Sequence, residues 1–240
     1  MSTAGDYRAV IVNADDFGLS AGVNQGITTA FERGILTSAS LMVRADAAAE
    51  AAAYARLHSM LGVGLHVDLG EWRHVGGYDW RAVYEVVRLD DEEAVAREVD
   101  RQLDRFRELL GREPTHLDSH QHVHLKEPVR SVLRRLAVRL GVPLRHFSGV
   151  VRYCGEFYGQ WNDGRQYLEA ISADGLIRTI LGLSPGITEL ACHPGDDPGL
   201  DSDYREERSL ELAALCDPRV REALVGARIE LRTFEGVAAG

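Results

Sequence analysis

The sequence predicts an α/β protein in which helices cover a mostly parallel sheet, arranged as a (β/α) barrel or as an open doubly wound sheet. Short apolar runs alternate with amphipathic helical segments about seven times, which is the pattern of consecutive strand–helix units. The 240 residues, of which 45% are hydrophobic, suffice for one sizeable core. Because the chain has neither an internal repeat nor a linker rich in Pro, Gly or Ser, we expect a single domain over residues 1–240.

The first half of the chain carries strand and helix patterns in alternation. Ser20 is a suitable N-cap for a helix that Gly34 ends, and Gly111 ends a later helix whose apolar residues lie on one stripe. The alanine-rich segment between the second and third strands has high helix propensity. The predicted elements are strands at 9–16, 35–43, 61–69 and 114–120 and helices at 20–33, 46–58 and 91–110.

The second half continues the alternation around an aromatic, irregular segment at 150–163. Gly141 separates an amphipathic helix from a short strand that begins with Val142. The predicted elements are helices at 126–141, filling 164–182 and at 205–225, and strands at 142–147, 187–193 and 227–234.

Composition excludes several classes of partner. The formal net charge is -10 and the pI is about 5.4, without a block of Lys or Arg, so neither nucleic acid nor an anionic membrane is expected to bind. The sequence contains no run of about 18 apolar residues, so no membrane-spanning helix is predicted. The segment MSTAGDYRAVIV leads into a strand and lacks signal-peptide regions. Three cysteines without metal-site spacing are typical of a reduced protein, so we expect a cytoplasmic location.

Four predicted strands end in acidic or imidazole side chains. In parallel α/β folds the carboxyl ends of the strands meet at one mouth, so these groups should share a site. Each has an alternative explanation by itself, such as a polar turn, a core histidine or a histidine-rich surface loop. That all four strand ends carry such groups for unrelated reasons is much less probable than any one of these explanations alone. The residues are Asp15, Asp16, His66, Asp68, Asp118, His120 and His193.

The residue types indicate metal-assisted hydrolysis. One carboxylate with two imidazoles suits a divalent ion that keeps positions open for water and substrate. A second aspartate beside a ligand aspartate can act as the base on the attacking water, and a histidine from another strand can protonate the leaving group.

The segment HLDSHQHVHL (116–125) cannot be one metal cluster if it is extended. Alternation would place five of its side chains on one face. At a rise of roughly 3.3 Å per residue, the outermost pair would lie more than ~25 Å apart, so at most one or two of them can share an ion. The five are His116, Asp118, His120, His122 and His124.

Five motifs in order resemble the YdjC-like carbohydrate deacetylases, which include the chito-oligosaccharide deacetylases and a branch associated with hopanoid biosynthesis. The motifs are NADDFGLSAGVNQGI, TSASLMV, GVGLHVDLG, PTHLDSHQHVHL and TELACHPG. The resemblance spans about residues 8–235, nearly the whole chain.

This resemblance implies a distorted (β/α) barrel related to polysaccharide deacetylases, and a homodimer. It implies one divalent metal ion, Mg²⁺ or Zn²⁺, held by Asp16, His66 and His120. Asp15 then resembles the general base, and His193 resembles the acid that protonates the departing amine. The implied substrate is an N-acetylated sugar or oligosaccharide.

Further residues are expected around that set. Asp118 would orient a ligand imidazole, His122 and His124 would line the substrate pocket or support the ligands, and His116 would be structural. Arg145 would either reach Asp15 and keep it ionised or form a surface ion pair.

Two features depart from the family pattern. Asp68 stands where the family often has Asn and would bring an extra carboxylate near the metal. Segments 71–90 and 148–165 are short and aromatic, and their rings would either stack on sugar or pack the loops. These aromatic residues are Trp72, Trp80, Tyr153, Phe157, Tyr158 and Trp161.

Two other classes of function compete with deacetylation. One is another metal-dependent amidohydrolase or phosphoesterase on a similar barrel, although such sites often place an H-x-H pair after the first strand. The other is a sugar- or metal-binding protein without catalysis, which would need neither Asp15 nor His193.

Overall fold

The computed structural model describes residues 7–76, 79–161 and 163–238, so residues 1–6 of the predicted N-terminal segment lie outside it. The strands in these ranges are β1 (Arg8–Phe17), β2 (Ser38–Leu41), β3 (Gly62–Val67), β4 (Gly70–Gly76), β5 (Asp79–Glu85), β6 (Leu117–Ser119), β7 (Val151–Cys154), β8 (Gly186–Cys192) and β9 (Ile229–Leu231). The helices are α1 (Ala21–Arg33), α2 (Ala48–Leu57), α3 (Glu92–Leu110), α4 (Val129–Leu140), α5 (Ala173–Gly182), α6 (Glu206–Leu215) and α7 (Pro218–Gly226), with a 3-10 helix at His120–Leu125.

A curled parallel sheet forms the centre of the protein. Its strand order is β6-β3-β2-β1-β8-β7, and β9 pairs with β1 as well. The registered pairs of this sheet are parallel, so the carboxyl ends of its strands lie on one side. Helices follow most of the strands, and the arrangement is the distorted barrel that the family resemblance implied. β4 and β5 form a separate two-stranded antiparallel sheet, which lies mostly in the segment 71–90.

Apolar burial follows the predicted periodicities. β1 is buried from Ala9 to Phe17, as expected for a central strand covered on both sides. The buried stripe of α3 includes Val95, Leu103 and Phe106. The hydroxyl of Ser20 accepts a hydrogen bond from the Val23 N–H at 3.1 Å, which is the predicted N-cap of α1.

Four predicted elements differ in the structure. Segment 142–147 is no strand: it makes one bridge, between Leu117 and Leu144, because Pro143 lacks an N–H and His146 turns into a left-handed conformation at φ 67°. The helix predicted over 205–225 is broken by Pro218, and only 173–182 of segment 164–182 is helical. Segment 150–163, expected to be irregular, contributes β7.

The sharp turn after β8 packs directly against α1. A side chain at Gly26 would overlap the backbone of Gly195, and one at Gly22 would meet Asp196 and Asp197. Only glycine permits this approach, which fixes the segment that follows His193. Within the described ranges, no helix combines the length and apolar composition needed to cross a membrane.

Candidate active site

The two adjacent aspartates lie on an irregular end of β1. The β1–β2 register shifts between Ala14 and Phe17, and Asp16 has a left-handed backbone with φ 66°. A bulge of this kind re-aims side chains near the end of a strand. Asp15 and Asp16 are both 2% exposed, yet their carboxylates have different partners.

Asp16 lies beside the two histidines predicted with it. Its Oδ1 is 3.1 Å from His120 Nδ1 and 3.4 Å from His66 Nε2. One ligand atom from each of the three residues lies within 4.8 Å of the others. The structure therefore brings Asp16, His66 and His120 together from β1, β3 and the first residue after β6.

The far side of the His66 ring is fixed by Asp118. His66 Nδ1 is 2.8 Å from Asp118 Oδ1, and both residues are buried on paired strands. Burial alone would lower the pKa of His66, but the Asp118 carboxylate raises it well above its usual value. Asp118 Oδ2 accepts a 2.7 Å hydrogen bond from Ser40. This leaves His66 Nε2 pointing at Asp16.

Asp15 forms a buried, two-point ion pair with Arg145. Arg145 Nη1 donates to Asp15 Oδ2 at 2.6 Å, and Nη2 donates to Oδ1 at 2.7 Å. The Arg145 side chain is 0% exposed, so the alternative of a surface ion pair was wrong. Burial opposes ionisation of Asp15, but the guanidinium holds its pKa below the usual range.

Arg145 is surrounded by three carboxyl groups. Besides Asp15, it contacts Asp118 at 2.8 Å and Glu189 on β8 at 2.6 Å. Burial raises the pKa of Glu189 to about 7, while Arg145 opposes that shift. One guanidinium therefore keeps Asp15 and Asp118 ionised, and Glu189 takes up a proton as the pH falls through neutrality.

His193 lies opposite Asp15, directly after β8. Its Nε2 is 3.8 Å from Asp15 Oδ2, and its Nδ1 is 3.9 Å from Glu211 Oε1. Glu211 is fully buried on α6; it accepts hydrogen bonds from the His193 backbone N–H and from the Tyr204 hydroxyl. Burial lowers the pKa of His193, but the nearby Glu211 carboxylate outweighs this and raises it.

A second buried arginine holds the other oxygen of Asp16. Arg208 Nη2 donates to Asp16 Oδ2 at 2.6 Å, and Arg208 is 4% exposed on α6. Burial opposes ionisation of Asp16, but Arg208 and the two histidines hold its pKa well below the usual value. Asp16 is therefore a carboxylate with one oxygen anchored and the other facing His66 and His120.

Other predicted residues lie outside this group. Asp68 does not join it: its carboxylate accepts from Arg44 at 2.7 Å and from Tyr84 at 3.0 Å. His122 and His124 lie in the 3-10 helix beyond β6, where they meet His146 rather than Asp16. His116 is buried deeper in the fold, and burial lowers its pKa to about 4.

A family model described as YdjC-like protein matches residues 9–225. The chain belongs to the YdjC-like family. It is 33% identical to a chitooligosaccharide deacetylase of Klebsiella pneumoniae (strain 342) over 257 residues, which cover 96% of this chain and 99% of the relative. It is 34% identical to a carbohydrate deacetylase of Vibrio parahaemolyticus serotype O3:K6 over 145 residues, which cover 55% of this chain and 53% of that relative.

Solved structures share the fold of this YdjC-like chain. A candidate cellobiose-phosphate cleavage protein of Enterococcus faecalis V583 has a TM-score of 0.78 at 25% identity, covering 97% of this chain and 99% of that protein. A family 4 carbohydrate esterase of Streptomyces lividans, in complex with acetate, has a TM-score of 0.55 at 14% identity, covering 98% and 97%. The second likeness shows the polysaccharide-deacetylase fold alone.

The donor set of Asp16, His66 and His120 fits a divalent cation. It offers one carboxylate oxygen and two imidazole nitrogens that converge on one point. The other nitrogen of His66 is held by Asp118, as is usual for an imidazole that binds a metal. A neighbouring group of Asp15, His66 and Asp118 is less suitable, because Arg145 already binds both of its carboxylates.

Several residues of this site were missed by sequence reasoning. Arg208 and Glu211 lie on one face of α6, where charged residues at helical spacing are indistinguishable from a solvated surface. Glu189 lies among the apolar residues of β8. A carboxylate inside an apolar strand is a sequence signal for a buried charge, and it could have identified this residue. His146 was overlooked because its segment was interpreted as a regular strand.

The loop aromatics divide between packing and exposure. Phe157 is fully buried in the hydrophobic core, and the partly buried Trp72 packs against that core. Tyr158 is 37% exposed, stacks on Tyr204 at 4.4 Å, and meets the His193 ring edge-on at 5.5 Å. Tyr158 is thus the loop aromatic that borders His193 with an accessible surface. Trp80 and Trp161 are exposed.

Proposed function

We propose that this protein is a metal-dependent carbohydrate N-deacetylase, which hydrolyses the acetamide of an N-acetylated sugar to acetate and an amino sugar. The observation that carries the proposal is that His193 Nε2 lies 3.8 Å from Asp15 Oδ2, with Asp16, His66 and His120 grouped beside them. Simple binding of a sugar or a metal would require neither a buried base nor an opposing acid.

In this proposal the cation is held by Asp16, His66 and His120. When bound, it supplies Lewis-acid polarisation of the acetamide carbonyl and lowers the pKa of water at the site. Arg208 keeps Asp16 ionised and in place, and Asp118 orients the His66 ring. Mg²⁺ and Zn²⁺ are both compatible with one carboxylate and two imidazoles, with Zn²⁺ favoured by the nitrogen ligands.

Asp15 acts as the base. Its carboxylate stays ionised at neutral pH because Arg145 binds both oxygens in a buried setting. It accepts a proton from the water that attacks the acetamide carbon. The two hydrogen bonds from Arg145 fix the direction of the carboxylate, so the base is oriented before substrate arrives.

His193 acts as the acid. Its raised pKa keeps the imidazolium available near neutral pH, and Nε2 lies 3.8 Å from Asp15 Oδ2. As the C–N bond of the tetrahedral carbon breaks, His193 transfers this proton to the departing amine nitrogen. The Glu211 carboxylate, 3.9 Å from Nδ1 on the opposite side of the ring, stabilises its positive charge.

The substrate class follows from the relatives and the rim of the site. The chitooligosaccharide and carbohydrate deacetylases named above support an N-acetylated sugar. Tyr158 offers an accessible aromatic face beside His193, on which a sugar ring can stack. The Enterococcus protein favours a second candidate, hydrolysis of a phosphorylated disaccharide, which an assay must include.

Acetate release from N-acetylglucosamine mono-, di- and trisaccharides tests the proposal. Asp15→Asn should lower kcat by about 10²–10⁴-fold, and His193→Ala should cause a loss of the same order. Asp90→Asn, which removes an exposed carboxylate that pairs with Arg88, is the matched control and should leave the rate unchanged.

Circular dichroism of each variant separates a loss of chemistry from a loss of fold. Full acetate release by a folded Asp15→Asn variant contradicts the assignment. Release of phosphate or of monosaccharides from a phosphorylated disaccharide, without acetate release from any acetamide, favours the second candidate. The homodimer stays a prediction of the family resemblance, which sedimentation analysis checks, and the cytoplasmic location stays a prediction from the cysteine content.

A further inference from the structure

Three histidines outside the proposed catalytic set form a second cluster. They are His122 and His124 of the 3-10 helix and His146 of the segment before β7. One ring nitrogen of each lies within 4.8 Å of one ring nitrogen of the other two, and His122 Nδ1 is 3.1 Å from His146 Nε2. In a tetrahedral zinc site with Zn–N bonds of about 2.0–2.1 Å, neighbouring nitrogens lie roughly 3.3 Å apart.

His124 leaves a buried nitrogen without a partner. The residue is 0% exposed, and its Nε2 has no hydrogen bond, whereas its Nδ1 is 2.6 Å from Ser119 Oγ. Buried polar atoms are nearly always satisfied, and an unsatisfied one is costly. A cation at the cluster would satisfy Nε2. Burial lowers the pKa of His124 to about 3, so its ring is neutral and carries a free lone pair.

The outer nitrogens of two rings are held by oxygen atoms. Ser119 Oγ contacts Nδ1 of His124, and the Tyr153 hydroxyl lies 3.4 Å from Nε2 of His122. Imidazoles that bind a metal usually donate their other N–H to such a partner, which fixes the tautomer. The remaining nitrogen of His122, Nδ1, lies 3.1 Å from His146 Nε2, and the remaining nitrogen of His124, Nε2, is the buried atom without a partner.

The backbone is strained where it carries two of these rings. Gln121, His122 and His146 have left-handed φ values of 50°, 52° and 67°. Non-glycine residues adopt this conformation at a cost and keep it where their surroundings enforce it. At Gln121 the side chain helps to hold the left-handed backbone, because its amide accepts a hydrogen bond from the N–H of Trp72 and donates one to the C=O of Trp72.

Charge and access both permit a cation. The nearest arginine, Arg145, lies over the Tyr153 ring at 5.3 Å, but its charge is offset by Asp15, Asp118 and Glu189. His146 is exposed, so an ion can enter from solvent.

We propose that His122, His124 and His146 form a second metal site, separate from Asp16, His66 and His120, for a divalent transition-metal ion such as Zn²⁺. Three imidazoles without a carboxylate select Zn²⁺, Co²⁺, Ni²⁺ or Cu²⁺ over Mg²⁺. Three protein ligands leave a fourth position for water or for a group of the substrate.

Equilibrium dialysis against Zn²⁺, followed by metal analysis, tests the second site without any measurement of activity. The wild-type protein should hold two ions per chain, while His146→Asn and Asp16→Asn should each hold one. Asn tolerates the left-handed backbone at 146, so this variant is expected to fold. His58→Asn, which removes a histidine packed on Tyr54, is the control and should keep two ions.

A second variant and a competing ion make the result decisive. His122→Asn, also at a left-handed position, should lower the affinity for the same Zn²⁺ ion at least about tenfold. Excess Mg²⁺ should not displace this ion from the wild-type protein. One ion in the wild type that is lost in Asp16→Asn and kept in His146→Asn, or two ions retained by both folded His146→Asn and His122→Asn, overturns the second site. The Asp16→Asn arm reports separately on the catalytic cation.

Discussion

At the scale of single residues, Asp15 and Asp16 differ through their partners. Arg145 binds both oxygens of Asp15, whereas Arg208 binds one oxygen of Asp16 and leaves the other beside His66 and His120. An anchored carboxylate with a free oxygen suits a metal ligand, and a carboxylate facing His193 suits a base. The proposed division of roles therefore rests on these two arginines.

Sequence reasoning identified the paired aspartates but only one of the arginines. The acids follow a buried strand in an unusual DD pair, which is a strong local signal. Arg208 lies 192 residues further along, on a helix whose charged residues gave no sign of burial. Electrostatic partners joined by the tertiary fold carry no signature in local sequence.

Replacing Glu211 by Gln should move the pH dependence of the reaction. The carboxylate raises the pKa of His193, so its removal lowers that pKa and depletes the imidazolium at a lower pH. The alkaline limb of the kcat profile should therefore shift to lower pH, with kcat at neutral pH down about tenfold or more.

Glu206→Gln is the matched control for this change. It is an exposed residue of the same helix, and its profile should coincide with that of the wild type. A Glu211→Gln enzyme with lower kcat but an unmoved alkaline limb would mean that Glu211 acts only on the packing around Tyr204.

At the scale of elements, the histidine-rich segment is divided by the end of β6. The strand stops at Ser119, and the 3-10 helix starts with His120, so alternation no longer applies to His122 and His124. Sequence reasoning anticipated this division from the expected end of the strand. It missed His146, because a single bridge at Leu144 and a left-handed turn replace the predicted strand.

The contact between α1 and the turn after β8 should be sensitive to one methyl group. In Gly26→Ala the added Cβ would overlap the Gly195 backbone, which cannot yield without moving the neighbouring His193. We expect a loss of about 1–3 kcal/mol in the free energy of unfolding, together with reduced kcat. Denaturant titration and acetate release measure the two effects.

Gly182→Ala is the control for helix propensity and for added volume. Nothing lies within 4 Å of a Cβ placed there, at the end of α5. The substitution should be neutral or stabilising by up to about 1 kcal/mol. Equal stability of the two variants would show that α1 can move away from the turn at little cost.

At the scale of the whole molecule, parallel pairing assembles the site. β3, β2, β1 and β8 are neighbours in the sheet, so groups at their carboxyl ends meet although they are up to 178 residues apart, from Asp15 to His193. The sequence predicted this convergence because alternating strands and helices require a parallel sheet. Whether the sheet curls or stays open depends on twist and packing, which the residue pattern alone left undecided.

The central claim is that the Asp16, His66 and His120 group supports acetamide hydrolysis through a bound cation. The most direct measurement is acetate release from an N-acetylglucosamine disaccharide by protein stripped with a chelator and then titrated with Zn²⁺ or Mg²⁺. We predict no release above background after stripping and a saturable return of activity with added metal. Equal rates in stripped and metal-loaded protein would contradict the claim.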